Sequence, residues 1–164
     1  ASILRITGPA GHRILGSTGA VELTVQLPAG SRIEAKAASA QFTTTGQLGD
    51  VTFDSAQAII NVAQAATARL TTVDGNITAG LIGGDSKIRT VKGDIAVTEA
   101  SGGNLELHTQ TGAITVGAST GVCAILDAGT TLGRIRNALN NNGSAPSLTI
   151  HATSTLGDIT ARSM

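Results

Sequence analysis

The stretch from Lys87 to Val116, KIRTVKGDIAVTEASGGNLELHTQTGAITV, contains one phrase twice. A short alternating run leads to a Thr, two linker residues, a Gly, and then Ile-x-Val. The first copy uses Ile88, Thr90, Gly93, Ile95 and Val97. The second uses Leu107, Thr109, Gly112, Ile114 and Val116, an offset of 112 − 93 = 19 residues. Self-similarity at so short a period points to stacked units, each too thin to bury its apolar side alone.

The phrase recurs along most of the chain. Aligned on the glycine, the copies stand at Gly49, Gly75, Gly93, Gly112, Gly133 and Gly157, with intervals of 26, 18, 19, 21 and 24. Two residues after each stands Val51, Ile77, Ile95, Ile114, Ile135 or Ile159, a column that is β-branched throughout. Three residues before stand Gly46, Thr72, Thr90, Thr109, Thr130 and Ser154. Such columns arise when equivalent coils stack in register, about 4.8 Å apart. The expected fold is therefore all-β, a parallel β-solenoid or β-helix of short coils of 18–26 residues. The isoleucines should form one buried ladder. The glycine should take a positive φ at a turn, where a Cβ would be costly.

Composition agrees with a thin core. There is no Trp or Tyr, and the only large aromatic side chains are Phe42 and Phe53; Ala, Val, Ile, Leu, Thr and 21 Gly make up the small-residue framework. Small and β-branched side chains fit closely spaced β-layers where large rings do not. Eleven basic and eleven acidic residues cancel, and no basic run gives a local pull, so a nucleic-acid partner is not expected. No apolar run approaches a membrane-spanning length, so no transmembrane segment is expected in this chain. The opening Ala-Ser-Ile, without Met, is what a fragment or processed form would show.

The chain reads as one domain, 1–164. Residues 1–30 form a lead-in or cap: SILRIT alternates, Gly8-Pro9-Ala10-Gly11 is a turn, and Val21 to Leu27 alternates before Pro28-Ala29-Gly30. Stacked coils fill 31–164. Ser55 to Leu70 is Ala-rich and can be drawn as a helix, but it alternates in part, and a surrounding stack overrides alanine's propensity. Ala138 to Ser147 is a polar Asn, Gly and Pro loop between the last two coils. The chain then closes with SLTIHATSTLGDITARSM. No helix, proline or charged run follows, so the final coil is expected to expose an edge. Either the Asn-rich loop folds over that edge or the coil spanning Leu148 to Ala161 pairs with a second molecule. The second is favoured, giving a homodimer or end-to-end assembly through the C-terminal coil.

The repeated T-x-x-G-D-I pattern resembles a bacterial adhesin-labelled domain, a β-strand-repeat domain of unknown function. The most specific part runs from Thr130-Thr131-Leu132-Gly133-Arg134-Ile135-Arg136-Asn137 through the polar loop to Thr155-Leu156-Gly157-Asp158-Ile159-Thr160. The opening LPAGSRIEAKAAS, Leu27 to Ser39, is also similar to that family's entry into its repeats. The resemblance implies a β-solenoid, often envelope-associated, with no catalytic residues to carry over.

Candidate sites reduce to structural roles. The residue after each repeat glycine is Asp50, Asn76, Asp94, Ala113, Arg134 or Asp158. Calcium needs several converging oxygens, and Asn, Ala and Arg interrupt this column. Capping of each turn's own backbone by Asp and Asn is the better reading. A column three residues after the glycine holds Thr52, Thr78, Ala96, Thr115, Arg136 and Thr160. It is one residue wide and broken, so it fits a solvated β-face better than an ice-binding array. His12, His108 and His151 lack metal-ligand spacing. Of the three, only His108 and His151 are expected to come near each other, about 10 Å apart on second-neighbour coils. Cys123, in a Val-Cys-Ala-Ile-Leu run, reads as a small buried hydrophobe. No G-x-S-x-G nucleophile elbow is present. A carbohydrate-active β-helix enzyme would need clustered charged residues and aromatic platforms that this chain lacks.

Hence no catalytic, cofactor-binding or metal residues and no cofactor are expected. The expected function is a non-catalytic, adhesin-like surface or envelope-associated binding module, with a macromolecular partner of unknown identity. The alternative is a structural scaffold that self-associates through its ends, and a carbohydrate-active enzyme is the remote third. The cell envelope or the extracellular space is favoured over the cytoplasm.

Overall fold

A computed structural model describes residues 3–7, 26–141 and 143–164. In chain order its strands are β1 (Ile3–Thr7), β2 (Arg32–Asp74), β3 (Ile77–Ile82), β4 (Ser86–Arg89), β5 (Ile95–Ala100), β6 (Gly103–Thr111), β7 (Ile114–Ala118), β8 (Ala124–Leu132), β9 (Ile135–Ala138), β10 (Leu148–Leu156) and β11 (Ile159–Ser163). Every strand pairing is parallel, and no helix occurs among the described residues. The fold is a parallel β-solenoid. Ser55 to Leu70 lies inside β2 and is strand. Alternate residues there, Ala58, Ile60 and Val62, then Ala68 and Leu70, are buried by neighbouring coils, and that burial overrides the helical preference of alanine.

Two ladders make the two sides of each coil. The front ladder runs β2-β3-β5-β7-β11-β9 and the back ladder runs β2-β4-β6-β10-β8. The long β2 winds through the stack, since Arg32–Lys36 pair with β1, Ile60–Ala65 with β3 and Ala68–Thr71 with β4. Its own rungs touch at the coil period: Gly49 N–H donates to Ser31 O at 3.0 Å and Thr67 Oγ1 to Asp50 Oδ1 at 2.6 Å. Side chains point inward from both ladders into one continuous apolar core. The two phenylalanines stack near its N-terminal end with centroids 4.6 Å apart.

Two features of this stack depart from the sequence reading. The first coil aligns on Ala58 and Ile60, not on Gly49 and Val51, because Ile60 pairs with Ile77 and Gly75 lies over the Ala58 carbonyl. β2 passes Ala58 with an ordinary φ, so no glycine is needed there, and the nearest Gly-Asp-Val attracted the alignment to the wrong side of the coil.

The second departure concerns order. The last coil in sequence is not the last in space. β10 pairs with β6 on one side and β8 on the other, while β11 pairs with β7 and β9. The C-terminal coil is thus wedged between two older coils, and the end of the stack is β8 and β9. The expected exposed edge at Leu148 to Ala161 is therefore incorrect. Leu148, Ile150, Ala152, Ile159 and Ala161 are all fully buried. A reason lies in the inner columns. Asn137 of β9 stands in register with Ala161, which in turn faces Val116. An inward amide is poorly tolerated between two apolar rungs and easily tolerated on a rung covered from one side only. The more apolar coil takes the doubly covered place.

The isoleucine ladder consequently runs Ile60, Ile77, Ile95, Ile114, Ile159, Ile135. The first five are at most 1 % exposed, whereas Ile135, on the open end, is 45 % exposed. Ile114→Ala should cost about 2–4 kcal/mol through lost transfer energy and an unfilled cavity. Ile135→Ala should cost about 1 kcal/mol, because much of its surface is already in water. Urea midpoints of the two variants check the difference; equal losses would contradict the order of the ladder.

Of the lead-in, β1 is a strand on β2, and Pro28 to Ser31 forms the expected turn, with Ser31 N–H donating to Pro28 O at 3.2 Å. The turn at Gly8 to Gly11 and most of the alternating run at Val21 to Leu27 lie outside the described residues.

Candidate functional site

Three surfaces follow from this arrangement: the turns, the back and the front. At the turns, Gly75, Gly93, Gly112 and Gly157 all have positive φ, from +137° to +151°. Each lies so close to the carbonyl of the preceding rung that a Cβ would overlap it. The hydroxyl three residues earlier belongs to the same device. Thr109 Oγ1 donates to Gly93 O at 3.1 Å, Ser154 Oγ to Gly112 O at 3.0 Å and Thr130 Oγ1 to Gly157 O at 3.0 Å. In the first coil Ser55 occupies this place and donates to Gln57 O at 3.1 Å. The buried Thr and Ser of the repeat phrase thus satisfy turn carbonyls that would otherwise be desolvated without a partner.

The residues after the glycines bind backbone as well, but that of the next rung rather than their own. Asn76 Oδ1 accepts Asp94 N–H at 2.9 Å, Asp94 Oδ1 accepts Ala113 N–H at 2.8 Å, and Asp158 Oδ1 accepts Arg134 N–H at 2.8 Å. Asp50 belongs to the back of the stack and takes the Thr67 hydroxyl. Among the described residues no group of three or more His, Cys, Asp or Glu could hold a metal ion.

On the back, the register lines up Arg69, Lys87, Glu106, His151 and Asp127 across five strands. Lys87 Nζ lies 3.1 Å and Arg89 2.5 Å from the Glu106 carboxylate. Hydrogen bonds from Arg89 and then Lys87 hold this carboxyl below the ordinary carboxylate range, although water screens the half-exposed cluster. His151 Nδ1 lies 3.1 Å from Asp127 Oδ2. A shallow groove of about 630 Å3 runs along this side, lined among others by Arg32, Asp50, Arg69, Asp85 and Lys87. Its Ser86 hydroxyl is engaged with backbone, accepting Ala68 N–H at 2.9 Å and donating to Gly84 O at 3.2 Å. This charge ladder escaped the sequence reading. Its members are 18, 19, 45 and 24 residues apart between neighbouring strands, and the separation of 45, between Glu106 and His151, follows only from the wedged coil.

His108 and His151 sit on adjacent strands, not on second neighbours. Each has its own partner: His108 Nδ1 is 2.7 Å from Thr153 Oγ1. His12 lies outside the described residues. Cys123 is buried, as expected.

The front is different in character. Its middle outward column runs Asn61, Thr78, Ala96, Thr115, Thr160 and Arg136. Thr52 is replaced here by Asn61, for the reason that moved Val51, and Thr160 sits between Thr115 and Arg136. The result is a flat strip of small neutral side chains over five rungs, ending in an arginine at the open end of the stack.

No helix among the described residues is long and apolar enough to cross a membrane. A family model described as Toastrack DUF4097 matches residues 5–163. No curated protein and no solved structure matches the chain.

Proposed function

The chain belongs to the Toastrack DUF4097 family, and from that premise we propose that it is a non-catalytic, adhesin-like binding module. It would work at a bacterial cell envelope or outside the cell, laying the flat front of its solenoid against another macromolecule. One observation carries this reading: the in-register strip Asn61, Thr78, Ala96, Thr115 and Thr160, neutral and small-chained over five rungs, or about 19 Å. A surface of that kind has no aromatic anchor and suits weak, repeated contacts along an extended partner. Several polar side chains near the turns and the groove hold structure. The Asp94 and Asp158 carboxylates and the Thr109 and Ser154 hydroxyls hold backbone, and the groove's Ser86 is bonded on both sides.

The test is co-sedimentation of the full chain with purified envelope glycan, beside a Thr78→Lys/Thr115→Lys variant that puts two charges on the strip. Retention by the wild type, weakened at least about tenfold in the variant, is the expected result. Equal retention by both, or none by either, contradicts it, and shortening of the recovered glycan contradicts the non-catalytic part. A second reading, a scaffold that self-associates through its ends, is favoured by a different observation. β8 and β9 each have a described strand neighbour on one side only.

A further inference from the structure

We infer that the groove on the back of the solenoid is a second binding site, which takes an acidic oligosaccharide and anchors its carboxylate on Arg69. This goes beyond the reading of the front strip and does not rest on it.

The groove lies across the strands rather than along them. Arg69, Lys87, Glu106 and His151 stand in register on β2, β4, β6 and β10, which sets Arg69 about 14 Å from His151. Arg32, Asp50 and Thr52 continue the lining, around a volume of about 630 Å3.

Half of this lining is occupied with structure. Thr67 donates to Asp50 Oδ1, Asp85 Oδ1 accepts Asn104 N–H at 2.8 Å, and Lys87 and Arg89 both pair with Glu106. The other half is not. The guanidinium groups of Arg69 and Arg32, the Thr52 hydroxyl and the Asn104 side-chain amide have no hydrogen-bond or ion-pair partner among the described residues. Asp50 and Asp85 each use Oδ1 and keep Oδ2 without such a partner. His151 places Nδ1 on Asp127 and leaves Nε2 unengaged.

Arg69 is the anchor for a physical reason. It stands directly beside Lys87, and like charges opposed on neighbouring strands repel. Lys87 finds Glu106 at 3.1 Å, while Arg69 has no carboxylate within ion-pair distance among the described residues. A ligand carboxylate fills that gap, takes two parallel N–H donors from the guanidinium and relieves the repulsion. The remaining free groups, a hydroxyl, an amide and two half-used carboxylates, are donors and acceptors of the kind that sugar hydroxyls pair with.

Asp50, Asp85 and Glu106 share the groove, so a densely charged chain is repelled there and a sparsely charged sugar is not. A peptide is poorly served as well. β4 and β6 are paired on both sides, which leaves no strand edge for its backbone, and the apolar lining residues Val51 and Ala68 are buried. No aromatic ring lines the groove, so the contact is weak.

Titration of the full chain with tetragalacturonate, a short chain of acidic sugars, followed by NMR chemical shifts, tests this. The neutral cellotetraose and a tetraglutamate peptide are run beside it. Arg69→Gln removes the anchor, and Arg134→Gln removes the same charge from an exposed turn outside the groove. Arg69 is itself exposed and unpaired, so its variant should keep the wild-type melting temperature. In the wild type, shifts are expected at Thr52, Arg69, Asn104 and His151. The Kd for tetragalacturonate should rise at least about tenfold in Arg69→Gln and stay unchanged in Arg134→Gln, with both other ligands at least about tenfold weaker on the wild type. No binding by the wild type, or shifts confined to the front, overturns the site. Equal losses in the two arginine variants overturn it in favour of general charge attraction. Equal binding of cellotetraose overturns the role of the carboxylate, and equal binding of tetraglutamate overturns the sugar. The front strip is tested separately by the Thr78→Lys/Thr115→Lys variant, so either reading can fail without the other.

Discussion

Deleting Leu148 to Met164 is expected to lower the melting temperature by at least about 10 °C or abolish cooperative unfolding altogether. The segment is the C-terminal end of the chain, where trimming is often harmless. Here it fills a slot. Leu148, Ile150 and Ile159 are fully buried, each worth about 1.5–3 kcal/mol of apolar burial. Removing the coil also uncovers Leu105, Leu107, Ile114 and Val116 on one side and leaves β8 and β9 with no strand to pair on the other. The combined loss of more than about 5 kcal/mol is comparable to the whole stability of an ordinary domain. A terminal rung, covered on one face, would cost roughly half as much. Differential scanning calorimetry of the truncated and full chains decides between them, and a shift of only a few degrees would mean that the coil lies at an end.

Gly112→Ala is expected to be among the most damaging substitutions at the turns, at about 3–6 kcal/mol. Two independent effects add. The residue has φ +151°, which an L side chain rarely adopts, at a cost of about 1–3 kcal/mol. Its Cβ would also overlap the Gly93 carbonyl, and that oxygen is held in place by the Thr109 hydroxyl at 3.1 Å, so backbone must move. Gly121→Ala separates the two effects. Gly121 has φ +79° but nothing within 4 Å of a Cβ, so only the conformational cost of about 1 kcal/mol remains. Denaturant midpoints for the pair should differ by the steric part; equal losses would show that the tight stacking of turns is not what requires glycine.

The repeat phrase made the solenoid legible, because period, β-branched column and turn glycine agree with one another. It also marked the buried hydroxyls, whose role as caps on the neighbouring turn became plain only once rungs lay side by side. What the phrase does not encode is the order of the rungs. Each coil is chemically alike above and below, so adjacency along the chain and adjacency in the stack separate without changing any local pattern. One signal was present nevertheless. Asn137 falls at an inward position where other rungs carry Val97, Val116 and Ala161, and a polar residue in that column marks the rung that ends the stack. The first coil was misread for a related reason. A glycine that stacking makes necessary elsewhere is dispensable where β2 runs through without a break, and Ala58 takes its place. The charged ladder on the back depends on the rung order for its contact between Glu106 and His151, so it could not be assembled in full before that order was known.

The central claim is that the C-terminal coil lies between two earlier ones, and a pair of double-cysteine variants tests it most directly. Thr115 and Thr160 are in register on adjacent strands, about 4.8 Å apart, a spacing that a disulfide spans. Thr115 and Arg136 are two strands apart, about 9.6 Å, beyond the reach of one. Both variants are made with Cys123 replaced by Ala, oxidised as dilute monomers, and assayed by mass spectrometry for free thiols. Thr115→Cys/Thr160→Cys is expected to close into an internal disulfide while Thr115→Cys/Arg136→Cys keeps both thiols. The opposite pattern, with the bond formed between positions 115 and 136, would place the coils in sequence order and contradict the account.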